Sequence, residues 1–280
     1  MNYRHAFHAG NFADVFKHAI VLALLDALTA KDKPLCYVDT HAGRGTYRLD
    51  DAAAQKTGEW RDGIGRLFAA ERIPAPLQRY VDAVRAVNQG DDLRAYPGSP
   101  LLAAQALRAN DQLVLCEVQS GEADALRGLF RCDQRVHVHQ RDGYAALGAL
   151  LPPAQKRGMV LIDPPFEAQD GEFTVIEAAL VKAHARWPGG VYAVWYPIKS
   201  HRSIVPFHRR MATNLFDNML VAELLVLPDD SPLRLNGCGM LIANPPWQLD
   251  SKLAGMLPAL RDALAQSPLA AQQLRWLRRE

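Results

Sequence analysis

The chain has 280 residues, 49% of them hydrophobic and 22% charged, with a net charge of +2. This is the composition of an ordinary globular protein, long enough for one sizeable α/β domain with an insertion or for two small domains. Near-neutral charge excludes a generally basic nucleic-acid binder, so any such contact must use a local patch.

In chain order, Tyr3-Arg4-His5 opens a short tail whose aromatic and basic side chains suit stacking on single-stranded RNA and contact with its phosphates. Helical spacing follows over Asn11–Leu28, with Val15, Ala19, Leu22 and Ala23 on its apolar face and His18 within it. Short apolar runs at Leu35–Asp39, Leu113–Glu117, Val136–Arg141, Met159–Asp163 and Val191–Tyr196 predict strands. Helical patterns follow most of them, at Glu122–Phe130, Tyr144–Leu150, Phe173–Trp187 and about Ser203–Phe216. That alternation predicts a parallel sheet with helices on both faces. Leu220–Leu227 and Cys238–Ala243 have no room for a crossover helix and predict an antiparallel pair at the sheet edge. Arg275, Arg278 and Arg279 read as a solvated C-terminus.

Far more chain separates Asp39 from Glu117 than the roughly 30 residues a βαβ unit needs. Glu59–Ala70 and Leu77–Asn88 carry helical spacing, so residues 49–95 read as an inserted helical subdomain in a Rossmann-like domain made of residues 1–48 and 96–280. The helix after the first strand then starts late, with Ser99 as its N-cap and Pro100 in its first turn.

Three strands end in polar groups where open α/β sheets bind ligands. The first ends in Asp39-Thr40-His41-Ala42-Gly43-Arg44-Gly45, a tight turn that lets a ligand approach the backbone. The second ends in Glu117, an acceptor for ribose hydroxyls, and the third in Asp142-Gly143, an acceptor for an adenine amino group. A dinucleotide is the obvious competitor, but position 48 is Arg48 rather than the third glycine, and no helix opens there to hold a pyrophosphate. S-adenosylmethionine has no phosphate. The D-x-x-x-G-x-G pattern from Asp39 to Gly45 resembles the first motif of Rossmann-type methyltransferases.

The fourth strand ends in Asp163-Pro164-Pro165-Phe166. The prolines stiffen the turn and remove two donors, leaving carbonyls free to accept. Asp163 and the Pro164 carbonyl suit the two protons of an exocyclic amine, and Phe166 offers a ring face to its heterocycle. This is the chemistry of amine methylation. Asn244-Pro245-Pro246-Trp247 has a similar form, but too little chain follows it for a reactive loop of this fold, so it reads as a structural turn.

These residues bring out a resemblance. The chain resembles the RlmJ family of bacterial 23S ribosomal RNA adenine-N6 methyltransferases nearly end to end. The resemblance runs through Tyr3-Arg4-His5, Phe7-His8-Ala9-Gly10-Asn11, Ala13-Asp14-Val15, Lys17-His18, Lys31-Asp32-Lys33-Pro34, Asp39-Thr40-His41-Ala42-Gly43, Tyr96-Pro97-Gly98-Ser99-Pro100, Asp163-Pro164-Pro165 and Trp195-Tyr196-Pro197. It implies a Rossmann-like S-adenosylmethionine-dependent methyltransferase with a small helical insert. It puts cofactor contacts on His18, His41, Ser99, Glu117, Asp142, Gly143 and Asp163, makes Asp163 catalytic, and assigns Tyr3 to RNA. Phe166 stands where relatives often carry tyrosine, and Arg44 where a small residue is common.

No metal is expected, because His5, His8, His18 and His41 lack a compact ligand pattern. The four scattered cysteines read as reduced thiols of a cytoplasmic protein, and no apolar run is long enough to span a bilayer. The rival activities are methylation of DNA adenine or of a protein glutamine amide. A non-catalytic RNA-binding protein of the same fold is the rival from another class.

Overall fold

A computed structural model describes residues 4–88, 92–166, 169–213, 215–232 and 235–279. Helix α1 (Phe12–Thr29) precedes the first strand, and the Asn11 side chain caps it by accepting from the Ala13 and Asp14 amides. The strands are β1 (Cys36–Asp39), β2 (Thr46–Arg48), β3 (Ala95–Pro97), β4 (Gln112–Cys116), β5 (Val136–His139), β6 (Gly158–Ile162), β7 (Val191–Ile198), β8 (Met219–Leu225), β9 (Gly237–Ala243) and β10 (Ala271–Arg278). Eight of them form one sheet in the order β10-β8-β9-β7-β6-β1-β4-β5. The five strands β5, β4, β1, β6 and β7 are parallel, while β9, β8 and β10 extend the sheet in antiparallel fashion.

Helices cover both faces, as a Rossmann-like fold requires. Every residue of β6 is buried, which is why its sequence is a continuous apolar run rather than an alternating one. Met159 and Leu161 face a core shared by α1, α5 (Ser99–Ala106) and α10 (Leu249–Leu264). Val160 and Ile162 face the core of α7 (Gly143–Leu150), α8 (Gln169–Arg186) and α9 (His201–Met211). Helix α6 (Ser120–Leu129) packs Leu126 into the first of these.

Strands β2 and β3 pair with each other and bracket the chain between them. Among the described residues that segment holds short helices, including α2 (Ala52–Thr57), α3 (Ile64–Phe68) and α4 (Gln78–Arg85). Ile64, Leu67, Tyr80, Val81 and Val84 pack into the same core as α1 rather than into one of their own. The helix expected over Glu59–Ala70 is broken at Gly63. A Cβ there would lie 2.1 Å from the Gly10 carbonyl oxygen, so the two segments meet backbone to backbone. The Ile64 amide donates to that oxygen at 2.9 Å.

Three local expectations change. Gly98, not Ser99, is the N-cap of α5, because the Ser99 hydroxyl is bonded to Asp39 Oδ2 at 2.7 Å. The β8–β9 pair is not the sheet edge, since β10 pairs with β8 beyond it. Arg275 therefore belongs to a strand. It donates to His208 Nδ1 at 2.6 Å, and His208 Nε2 contacts the Tyr196 hydroxyl at 2.9 Å.

This contact predicts a pH dependence. Burial, then the Arg275 and His201 charges, push the His208 imidazole from 6.5 down to about 3. A lowered folded-state value means that His208 contributes stability above about pH 6.5, which is lost as pH falls toward about 3. Urea unfolding at pH 7 and pH 4.5 is expected to show a smaller difference in His208→Gln than in the unsubstituted protein, by about 2 kcal/mol. An unchanged difference would mean that other groups carry the acid sensitivity.

Candidate active site

The C-terminal ends of β1, β4, β6 and β7 open into one cleft of about 1340 Å³. Asp163, Pro164 and Phe166 line it, and so do His18, His41, Gly43, Ser99, Glu117, Asp142 and Gly143. Arg4 and His5 lie at the same cleft, whereas Tyr3 falls outside the described residues. The rival Asn-Pro-Pro-Trp run is at the opposite edge of the sheet, because β9 runs antiparallel to β7. There Asn244 Nδ2 donates to the carbonyls of Pro188 and Gly190, both at 2.8 Å, just before β7 begins.

The glycine turn is tied to its neighbours. The Gly43 amide donates to Glu117 Oε2 at 2.9 Å, and the Gln119 amide to Oε1 at 2.8 Å. A carboxylate offers about four acceptor sites, so these two bonds leave sites for ligand hydroxyls. After Gly45 the chain enters β2 rather than a helix, so the turn offers no helix N-terminus to a pyrophosphate. Asp142 caps α7 by accepting from the Ala145 amide at 2.7 Å, again with acceptor capacity to spare. Gly143 serves packing: a Cβ there would lie 2.0 Å from the Thr40 carbonyl oxygen.

Asp39 is buried beneath this turn and accepts from the Tyr37 hydroxyl at 2.8 Å, the Ser99 hydroxyl at 2.7 Å and the His41 amide at 3.2 Å. Burial is the main cause that pushes its carboxyl up to about 6. Burial likewise pushes His41 down to about 4, which keeps the ring neutral at pH 7. His41 Nδ1 lies 2.8 Å from the Thr40 hydroxyl, and the ring meets Tyr144 edge-on at 5.1 Å. His18 is held well below its usual value by burial, with Nδ1 2.7 Å from the Tyr96 hydroxyl.

At the end of β6, Asp163 Oδ2 accepts from Lys17 Nζ at 2.5 Å. Lys17 also pairs with Asp14 at 2.9 Å, and both of these α1 side chains are almost fully buried. The two carboxylates together hold the ammonium well above the usual lysine value despite its desolvation, and His5 and Lys17 hold Asp14 well below the usual carboxylate value. No other donor among the described residues bonds Asp163. Phe166 is braced edge-on by Phe173 at 5.4 Å and Trp195 at 5.8 Å. Phe166 lines the cleft next to a carboxylate with one oxygen engaged.

Sequence reasoning missed Lys17, Asp14 and Trp195 as parts of this site. The available signal was an acid and a base three residues apart on a helix that is mostly apolar, where an unpaired charge would be expensive. Among the described residues, no group of three or more His, Cys, Asp or Glu could hold a metal ion. No helix among them is long and apolar enough to cross a membrane.

The family model described as "Ribosomal RNA large subunit methyltransferase D, RlmJ" matches residues 32–278. The chain is 37% identical over 277 residues to "Ribosomal RNA large subunit methyltransferase J" of Escherichia coli (strain K12), covering 99% of each. It is 36% identical over 278 residues to the protein of the same name from Haemophilus influenzae, again over 99% of each. A crystal structure of a Legionella pneumophila protein superposes with a TM-score of 0.88 at 36% identity, covering 96% of this chain and 98% of that one.

Proposed function

The chain belongs to the RsmJ/RlmJ family of ribosomal RNA large subunit methyltransferases, and we propose that it methylates the N6 amine of an adenine in 23S ribosomal RNA. The substrate fits protein-free or early-assembly RNA, because the target base must leave its stack to enter the cleft. That costs a few kcal/mol in a duplex and less in a loop. Full-length similarity to two curated large-subunit RNA methyltransferases supports the RNA class. The observation that carries the chemistry is Asp163, with Oδ2 held by Lys17 and no other donor bonding it among the described residues, beside Pro164 and the Phe166 ring.

S-adenosylmethionine is the methyl donor of this family and supplies an electrophilic methyl group when bound. The strand ends fit it. Glu117 has acceptor sites left for the ribose hydroxyls, Asp142 for the adenine amine, and the half-exposed Val118 lines the cleft with them. The glycine turn lacks the helix N-terminus that a dinucleotide would use. Gly43, Ser99, His18 and His41 complete that end of the cleft.

The target amine is a poor nucleophile, because its lone pair is delocalised into the ring. Asp163 Oδ1 and the Pro164 carbonyl accept hydrogen bonds from its two N–H groups, which favours a tetrahedral nitrogen with a localised lone pair. Phe166 holds the base plane, and Lys17 fixes the carboxylate through Oδ2. Arg4 and His5 contribute phosphate and base contacts from the tail. The same amine geometry would serve DNA adenine or a glutamine amide. Transfer of labelled methyl to methyl-deficient ribosomal RNA, DNA and protein, followed by nucleoside mass spectrometry, tests the reading. N6-methyladenosine in 23S RNA is the expected product, and label confined to DNA or protein would overturn it.

Glu117 gives a second check. Glu117→Ala is expected to weaken S-adenosylmethionine binding by about 1.5–3 kcal/mol, the worth of hydrogen bonds to a charged group. RNA affinity without cofactor should change little. Equal loss of both, measured by calorimetry, would point to collapse of the Gly43 turn instead.

A further inference from the structure

A line of four ionisable side chains runs from the N-terminal tail to the reactive strand end. His5 Nε2 lies 3.0 Å from Asp14 Oδ2, Asp14 Oδ1 lies 2.9 Å from Lys17 Nζ, and Lys17 Nζ lies 2.5 Å from Asp163 Oδ2. Only the last of these touches the place assigned to the target amine. We infer that Asp14 is a positioning residue for methyl transfer, acting on Asp163 through Lys17. This rests on the reading of Asp163 as the carboxylate that accepts a hydrogen bond from the amine.

The geometry around Asp14 is over-determined. Its side-chain relative exposure is 4%, and Oδ2 also accepts from the Gly10 amide at 2.9 Å. Its own amide is capped by Asn11 Oδ1 at 3.0 Å. Asp14 is therefore a fixed anion in the first turn of α1. Lys17 is a flexible four-carbon stem with three rotatable donors and needs such a fixed partner to aim it. Asp14 does so from one turn away, at i and i+3, where helix side chains meet. It also takes a share of the ammonium charge. Without that share, all of the Lys17 charge would fall on Asp163, and the remaining carboxylate oxygen would be a weaker acceptor for the amine.

A purely structural ion pair predicts something else. Its loss would lower stability and leave turnover of the folded protein unchanged. A double-substitution cycle on the full-length protein separates the two. Asp14→Asn keeps the shape and an acceptor for Gly10 but removes the charge; Asp14→Ser removes the charge with a smaller side chain. Each is expected to lower kcat about tenfold in single-turnover methylation, with the S-adenosylmethionine Kd and the RNA KM within about twofold of the unsubstituted protein. Lys17→Met is expected to cost about 100-fold, and adding Asp14→Asn to it should cost nothing more, because residues acting through one another are not additive. Wild-type kcat in both folded Asp14 variants, or a double variant at the product of the single effects, overturns the inference. Retained turnover in Asp163→Asn would instead bring down the catalytic reading itself. Lost turnover there, with wild-type kcat in the Asp14 variants, overturns only the role of Asp14.

Discussion

Asp163→Asn is expected to lose at least about two orders of magnitude in methyl transfer, as when a positioned polar group is removed from other sites. The substitution is nearly isosteric, and Asp163 keeps partial access to the cleft, so the fold should survive. What changes is the chemistry of the two terminal atoms. An amide offers one acceptor and one donor where the carboxylate offered two acceptors. If the amide oxygen faces Lys17, its NH2 opposes the NH2 of the target amine. If it turns round, the NH2 opposes the Lys17 ammonium. In neither orientation are both Lys17 and the amine satisfied. Cofactor binding should persist, because Glu117 and Asp142 lie on other strand ends. The control is Asn244→Ala, which removes two bonds to the Pro188 and Gly190 carbonyls at the far edge of the sheet. It should lower stability while leaving turnover of the folded enzyme unchanged. Near-normal turnover in Asp163→Asn, or selective loss of turnover in Asn244→Ala, would reverse the choice between the two Pro-Pro motifs.

That choice rests on strand direction, which is legible in this sequence only in part. The central parallel strands β1 and β6 are legible because they are buried on both faces and end at polar groups. Cys36–Asp39 and Gly158–Ile162 are each apolar runs stopped by an acid or followed by one. Strand β10 is not legible in the same way. Its residues are only half-buried or exposed, and its arginines resemble a solvated tail until Arg275 is seen on His208. Ser99 shows a different limit. A serine before a proline at a helix start has the composition of an N-cap, but the hydroxyl can make its bond to Asp39, 60 residues away, only once the fold exists. The insert shows a third. Helical spacing over Glu59–Ala70 is real, yet the approach of Gly10 to Gly63 stops the helix. Long-range contacts of polar atoms leave no period in a sequence. For that reason the link from Asp14 through Lys17 to Asp163 emerges only in three dimensions.

Lys17→Met carries the other large effect. The ammonium lies between two carboxylates, with side-chain relative exposures of 6% for Lys17, 4% for Asp14 and 15% for Asp163. Methionine fills much of the same volume without charge. Removing the cation leaves two acids with no counter-charge between them, and breaking a buried pair in this way typically costs about 3–5 kcal/mol. Part of that cost is avoidable, because neighbouring carboxyls without a cation share a proton. The shared proton has a functional signature. A protonated Asp163 is uncharged and a weaker acceptor for the amine, so residual turnover of Lys17→Met should climb with pH. Stability and turnover should also separate in the Asp14→Asn/Lys17→Met double variant. Removing the second buried charge restores much of the stability, whereas turnover stays about 100-fold down, because Asp163 still lacks the group that fixes its Oδ2. Urea unfolding and single-turnover methylation of the same preparations, over a pH series, measure both quantities. Recovery of turnover together with stability in the double variant would mean that Lys17 only compensates a buried charge and takes no part in holding Asp163 for the reaction.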